Sequence, residues 1–368
     1  MSEDPSPEDP SAENPSAENP SPVNPDRADP ASGDPAAAIP CDRFRFPDDP
    51  ARWARAWEAH LASIYAVTVA RDADPSAGFG LTTYNFGSVL LGSVSAPAQR
   101  LERNARMIAQ QGIDHILLQF YTVGQSRVAN GRRAAAVKPW QLVVFDMAQP
   151  VVTEAEAVCA TNIMLPRALL SEHGTTIEGL HGQSLDYGGT PVRRLFHTFL
   201  SGLAACAGGL NAHEAHHLSR SVAHLCGACF QPEEGAARAS DQLTSIAIRR
   251  FIEAELGSDT LDATAILARF GLSRSTLYRL FEAEGGVAAY IRERRLLRAM
   301  RLLTAPGGNP RVSSVAYATG FSSESAFSRA FGRRFGVLPR ETGLGEALSG
   351  MGREAQPPLY SWIKTLAA

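Results

Sequence analysis

Apolar positions recur most regularly near the end of the 368-residue chain, where one pattern occurs twice between Gly271 and Phe331. The first copy reads Gly271-Leu272-Ser273-Arg274-Ser275-Thr276-Leu277-Tyr278-Arg279-Leu280-Phe281. The second reads Gly320-Phe321-Ser322-Ser323-Glu324-Ser325-Ala326-Phe327-Ser328-Arg329-Ala330-Phe331. In each, a Gly just past one helix tolerates left-handed backbone, and a Ser soon after it caps the next helix. Leu277, Leu280 and Phe281 share one helical face, as do Phe327, Ala330 and Phe331, so those faces should pack inward. Tyr278, Arg279, Ser328 and Arg329 then point outward. Between the copies, Tyr290, Ile291, Leu296, Leu297, Met300 and Leu303 form a stripe that predicts one continuous helix over Val287–Leu303. Arg292, Arg294, Arg295, Arg298 and Arg301 fill its remaining face.

Upstream the period changes. Arg52–Tyr65 reads as an amphipathic helix; Leu81–Val94, Ile113–Thr122 and Leu142–Asp146 read as strands separated by turns around Gly87, Gly124, Asn130-Gly131 and Pro139. Asn130-Gly131 is a hairpin signal. Short strands at this spacing suggest a barrel or sandwich. Which side each strand residue faces stays open, because a one-residue slip in register exchanges inside for outside. Over Thr190–Phe230, Val192, Leu195, Phe196, Phe199 and Leu200, then Leu218, Val222, Leu225 and Cys226, predict two helices separated by Gly208-Gly209 and Asn211.

Charge changes the picture of a chain whose formal net charge is −3. Residues 1–40 hold nine carboxylates against one Arg, so the rest of the chain is basic. Asp241–Gly345 has fifteen Arg against ten Asp plus Glu, which suits a nucleic-acid partner. Met1–Pro40, with Ser-Ala-Glu-Asn-Pro at Ser11–Pro15 and again at Ser16–Pro20, has too few apolar residues to offset its ordering entropy and is expected to be disordered. It lacks the apolar region of a signal peptide, and no run is long and apolar enough for a membrane span. Five scattered cysteines fit a reducing cytoplasm.

Enzyme signatures are sparse. Gly-x-Ser-x-Gly, Walker and dinucleotide loops are missing. His213-Glu214-Ala215-His216-His217 formally matches a zinc-site pattern, and Cys226 and Cys229 stand nearby. However, Asn211 with Glu214 forms a capping pair at a helix start, and cysteines in an apolar helix behave as small hydrophobes. No cofactor or metal is expected, and the chain is read as a non-enzyme.

The doubled motif resembles the DNA-binding domain of the AraC/XylS family of bacterial transcription regulators. Ala316, Gly320-Phe321, Ser325, Phe327, Arg329, Phe331, Phe335-Gly336 and Pro339 carry the likeness. Leu267 stands where the family usually has a small residue, and Arg340-Glu341-Thr342-Gly343 replaces the usual ending after Pro339. Asp114-His115-Ile116-Leu117-Leu118, Trp140–Asp146 and Leu165-Pro166-Arg167 resemble the effector half of one AraC subgroup.

The resemblance implies an α+β chain: an N-terminal cupin-like β-barrel with flanking helices and a C-terminal all-α domain with two helix-turn-helix motifs. Its divisions are a tail over 1–40, the effector domain over 41–189, a dimerisation segment over 190–230 and a linker over 231–240. The DNA-binding domain covers 241–345 and a C-terminal tail 346–368, whose Leu359-Tyr360-Ser361-Trp362-Ile363 either docks or frays. Double-stranded DNA, an unidentified small-molecule effector, a second copy of the chain and RNA polymerase are the expected partners, in the cytoplasm. Ser273, Arg274, Ser275, Tyr278 and Arg279 are expected to face one major groove, and Ser323, Glu324, Ser325, Ser328 and Arg329 the next. Tyr84, Phe86, Phe120, Tyr121, Trp140 and Phe145 are effector-site candidates, with Arg127, Gln125 or His115 for polar contacts. A DNA-repair enzyme with a reactive Cys and a ligand-independent architectural protein are the competing classes.

Overall fold

The structure is a computed structural model that describes residues 37–45, 49, 52–71, 73, 79–131, 133–172, 179–230, 236–305, 310–342 and 358–366. The expectation of disorder over residues 1–36 lies outside this range, but the end of that tail is packed: Ile39 is buried and its N–H donates to Leu210 O.

Two antiparallel sheets form the N-terminal domain. Strands β1 (Cys41–Arg45), β3 (Gly80–Asn85), β4 (Leu90–Ala96), β6 (Ile116–Val123), β9 (Gln141–Asp146), β11 (Val158–Leu165) and β12 (Ser184–Asp186) make the larger, in the order β1-β3-β4-β11-β6-β9-β12. Strands β2 (Ala66–Val69), β5 (Gln99–Arg103), β7 (Ser126–Ala129), β8 (Ala134–Val137) and β10 (Val151–Ala155) make the smaller, in the order β2-β5-β10-β7-β8. The expected cupin-like β-domain is thus a pair of facing sheets that remain open. The stretch Leu81–Val94 holds two strands, β3 and β4, folded back at Phe86–Val89 about the expected turn at Gly87, where Asn85 Oδ1 accepts from Gly87 N at 2.8 Å. The Asn130-Gly131 signal marks the β7–β8 hairpin, closed by Asn130 N donating to Arg133 O.

The larger sheet is covered on both faces, which explains its near-continuous apolar runs. On β6, Ile116, Leu118 and Phe120 face a helical layer while Leu117 and Tyr121 face the smaller sheet. The helical layer is α4 (Pro191–Cys206) with α5 (Ala212–Cys229). Their stripe, including Phe196, Leu200, Val222 and Cys226, is buried in the same core as the sheet residues. The apolar stripe of the segment expected to dimerise is therefore largely occupied within the chain, and Leu195, 58% exposed, is left outside. Helix α1 (Trp53–Leu61) abuts the other core, α2 (Ala105–Gln111) follows β5, and α3 (Arg167–Glu172) follows β11.

Helix α6 (Ala236–Glu255) opens the C-terminal domain and begins inside the span read as a linker. The domain continues with α7 (Ala263–Phe270), α8 (Arg274–Leu280), α9 (Val287–Leu303), α10 (Val312–Ala318) and α11 (Glu324–Phe335). Helix α9 serves two cores: Val287, Tyr290 and Ile291 pack with α6, α7 and α8, whereas Leu296, Leu297, Met300 and Leu303 pack with α10 and α11. The C-terminal tail docks. Helix α12 (Pro358–Thr365) buries Leu359, Tyr360 and Ile363 in the core between the sheets.

Candidate nucleic-acid interface and effector cavity

In the first motif, Gly271 closes α7 at φ 64° and Ser273 caps α8 by accepting from Thr276 N at 3.2 Å. In the second, Gly320 turns at φ 76° and Ser323 caps α11 by accepting from Ala326 N at 3.2 Å. Gly320 also permits a close approach: a Cβ there would lie 2.6 Å from Leu256 O and 2.8 Å from Arg295 Nε. Arg295 itself donates to Leu256 O and Ser258 O, closing the carbonyl end of α6. The inward faces are as the spacing implies, with Leu277, Phe281, Phe327, Phe331 and Phe335 fully buried. Each such side chain contributes roughly 1.5–3 kcal/mol relative to exposure.

The outward faces carry the expected side chains. Ser273, Arg274, Ser275, Tyr278 and Arg279 are exposed; so are Glu324, Ser325 and Arg329, while Ser323 and Ser328 are half-buried. The arginines divide into two populations that composition alone does not separate. Arg294 is buried and bonded to Glu253, and although burial opposes its charge, Glu253 holds its pKa above the ordinary value. Arg249 pairs with Glu284 at 2.5 Å beneath the Phe281 and Tyr290 rings. These are structural. Arg279 is exposed yet engaged: its two terminal nitrogens meet the two oxygens of Asp241 at 2.5 and 3.1 Å, and this guanidinium holds the Asp241 carboxyl below its usual range. Nothing in the sequence pattern marked Asp241, because it lies on α6, 38 residues away.

The N-terminal domain holds a partly open cavity of about 110 Å3 between its sheets. Trp57 and Leu61 of α1, alternate residues of β3, β4, β6 and β11, Gln99 and Leu101 of β5, and Leu359 and Ile363 of α12 line it. Of the aromatic candidates, only Tyr121 reaches the cavity. Tyr84, Phe86 and Phe120 belong to the core on the other side of the larger sheet, and Phe145 packs between the sheets away from the cavity. Trp140 is 58% exposed in a turn, with φ 65°. Register decided these faces. Arg127 is exposed, Gln125 donates to Glu156, and His115 is buried with Nε2 donating to Ile363 O at 2.8 Å. The lining residues Trp57 and Tyr65 were missed as site residues; their helix was legible, but its packing over the cavity was not. Burial pushes the Tyr65 hydroxyl up to about 12, with nearby Arg103 opposing the shift. Trp57 Nε1 donates to Gln99 Oε1 at 2.7 Å.

The His/Cys constellation lies along α5. Asn211 and Glu214 form the expected capping box at the start of α5. His213 and His217 are exposed with Nε2 atoms 3.3 Å apart, and among the described residues no group of three metal-ligating side chains stands together. Burial raises the Cys226 thiol well above its ordinary value and the Cys229 thiol to about 11.

Two family models match the chain: a helix-turn-helix domain over residues 266–343 and an AraC-binding-like domain over residues 54–230. The chain is similar to the transcriptional activator NphR of a Rhodococcus species, 27% identical over 300 residues that cover 77% of this chain and 86% of NphR. Over 77 residues it is 38% identical to the virulence regulon transcriptional activator VirF of Yersinia enterocolitica, 20% of this chain and 28% of VirF. The crystal structure of the AraC-like transcriptional activator CuxR matches with a TM-score of 0.48 at 24% identity, covering 71% of this chain and 95% of CuxR. No helix among the described residues is long and apolar enough to cross a membrane.

Proposed function

Because this chain belongs to the AraC family of transcription regulators and is a DNA-binding regulator of that type, we propose that its N-terminal cavity takes the small molecule that controls it. The observation that carries this reading is the pairing of two capped, outward-facing helices on one rigid α9 with a separate cavity-bearing domain. Arg274, Ser275, Tyr278 and Arg279, with the helix cap Ser273, face one major groove. Glu324, Ser325, Ser328 and Arg329, with the cap Ser323, face the next; Arg329 contacts guanine or phosphate and Glu324 accepts from cytosine N4. The protein acts in the cytoplasm, as a homodimer, with RNA polymerase as a further partner. The outward side of α4 supports pairing, because Leu195 stands exposed on it and Trp140 packs against His197 of the same helix at 6.0 Å.

Control passes through contacts that join the domains. Lys364 of α12 donates to Gln111 O at 2.6 Å and to Thr304 O at 3.0 Å, so the helix that walls the cavity also holds the end of α9. Gly112 makes room for this junction: a Cβ there would lie 1.8 Å from Thr304 Oγ1.

Selection of bound sequences from a random DNA pool tests the reading. Wild-type protein should enrich one motif with two half-elements. Arg329→Ala should then lose about 1–3 kcal/mol on that motif if Arg329 reads a base. Equal weakening on random DNA makes it a phosphate contact, and failure to enrich any motif removes the regulator reading.

A further inference from the structure

The cavity floor has a chemical pattern that only the register of the larger sheet brings together. Thr83, Gly92, Asn162 and Gln119 stand opposite one another on four adjacent strands, β3, β4, β11 and β6. All four line the cavity, and the residues on either side of this row, such as Val94 and Met164, are apolar. Gly92 keeps the middle of the row open, since a Cβ there would meet Thr82 O at 3.1 Å and Thr83 Oγ1 at 3.2 Å. Gln119 Nε2 donates to Asn162 Oδ1 at 3.1 Å. That bond leaves Gln119 Oε1 to accept and Asn162 Nδ2 to donate, with the Thr83 hydroxyl two strands from Asn162, across Gly92. Among the described residues none of these three groups has a protein partner.

Three physical limits define what can sit there. No Asp, Glu, Lys, Arg or His is among the described lining residues, so an ion would give up its hydration for neutral dipoles alone, at a cost of several kcal/mol. A wholly apolar guest would leave the amides and hydroxyl unpaired. The volume of about 110 Å3 is on the scale of a cavity that holds one benzene ring, roughly 150 Å3, so the buried part of the guest is about one ring.

Resting on the reading that this domain takes the effector, we propose that the cavity binds an uncharged molecule about the size of one six-membered ring. Its single polar group both donates and accepts, set against Asn162 and Gln119, with Thr83 farther along the same row. Benzamide, benzoate, benzamidine and toluene share one ring and differ in charge and hydrogen bonding, so calorimetry of the full-length, DNA-free protein at pH 7 separates the limits. Benzamide should bind, and benzoate and benzamidine should bind at least tenfold more weakly. Gln119→Leu and Asn162→Leu should each weaken benzamide about tenfold, the value of one hydrogen bond near 1.4 kcal/mol, while leaving toluene unchanged or tighter. Benzoate or benzamidine matching benzamide, no binding by any of the four, or indifference of benzamide to both substitutions overturns the proposal. The wild-type comparison stands even if a substituted protein fails to fold. A protein that binds benzamide but selects no DNA keeps the site and loses the regulator, and one that selects DNA but binds no probe does the reverse.

Discussion

Ile363→Ala probes whether α12 belongs to the folded N-terminal domain in solution. Ile363 is 1% exposed, packs in the core between the sheets and lines the cavity, and its carbonyl accepts from His115. Truncation keeps that carbonyl and deletes three carbons. At about 0.8 kcal/mol per buried methylene the transfer loss alone is roughly 2.4 kcal/mol. The space left unfilled moves the total into the range of about 2–5 kcal/mol. A domain of this size melts about 2–4 °C lower for each kcal/mol, so the midpoint should drop by roughly 4–20 °C. Near-ultraviolet circular dichroism on heating gives the midpoint, and Leu302→Ala is the control, because Leu302 is 39% exposed and should change stability by no more than about 0.5 kcal/mol. Limited proteolysis gives a second measure, since a weakened α12 should be cut before the rest of the chain. Equal midpoints for Ile363→Ala and wild type, with α12 still protected, would refute the reasoning.

Asp241→Ala frees Arg279 from its bidentate carboxylate and should tighten DNA binding and steepen its salt dependence by about one counterion; an unchanged salt slope means Arg279 does not reach a phosphate. Burial lowers the pKa of His60, His115 and His181, so each is neutral when folded while the unfolded chain protonates near the ordinary value of 6.5. Stability is therefore full above that value and should fall as pH drops below it, with a shallower fall in His115→Gln; a flat urea midpoint from pH 7 to 5 contradicts this. Leu195→Asp, on the exposed side of α4, should shift sedimentation from dimer to monomer without lowering the melting midpoint, and a dimer that persists places pairing elsewhere.

What was legible in the sequence follows local rules. The caps at Ser273 and Ser323, the capping box at Asn211 and the span of α9 depend on neighbours within a few residues, and each stands where spacing put it. The cavity depends on pairing between strands far apart in the chain. Tyr121 and Phe120 are adjacent and equally apolar, yet one faces the cavity side and the other the helical layer, and no sequence period separates them in a sheet covered on both faces. The docking of α12 was equally hidden, since its partners His115, Gln111 and Thr304 are up to 253 residues away. Among the arginines, the outward readers and the structural cations look alike in sequence. Glu253 and Glu284, brought in from elsewhere in the chain, mark the structural ones, whereas Asp241 holds the outward Arg279 at the surface.

The two helix-turn-helix modules are not equivalent in how they meet the effector domain. The core of the second includes Ile108 and Ala109 of α2 and Ala148, all from the N-terminal domain, packed with Phe327, Phe331 and Phe335. Arg334 of α11 donates to Ala148 O at 2.7 Å while holding Glu293, and Arg301 of α9 meets the buried Asp114 at 3.6 Å. Among the described residues, the buried core of the first module draws only on residues 248–291. A change in the cavity therefore has a packed route to the second module through α12, the end of α2 and the end of α9. It reaches the first through the length of α9, together with whatever α6 transmits where it passes α3. Since packed interfaces switch between discrete arrangements rather than bending smoothly, an effector would bias the placement of α11 first and that of α8 second. On the proposed reading, the two outward helices are set by a rigid strut anchored at one end, through which a small cavity would alter the fit to two successive grooves.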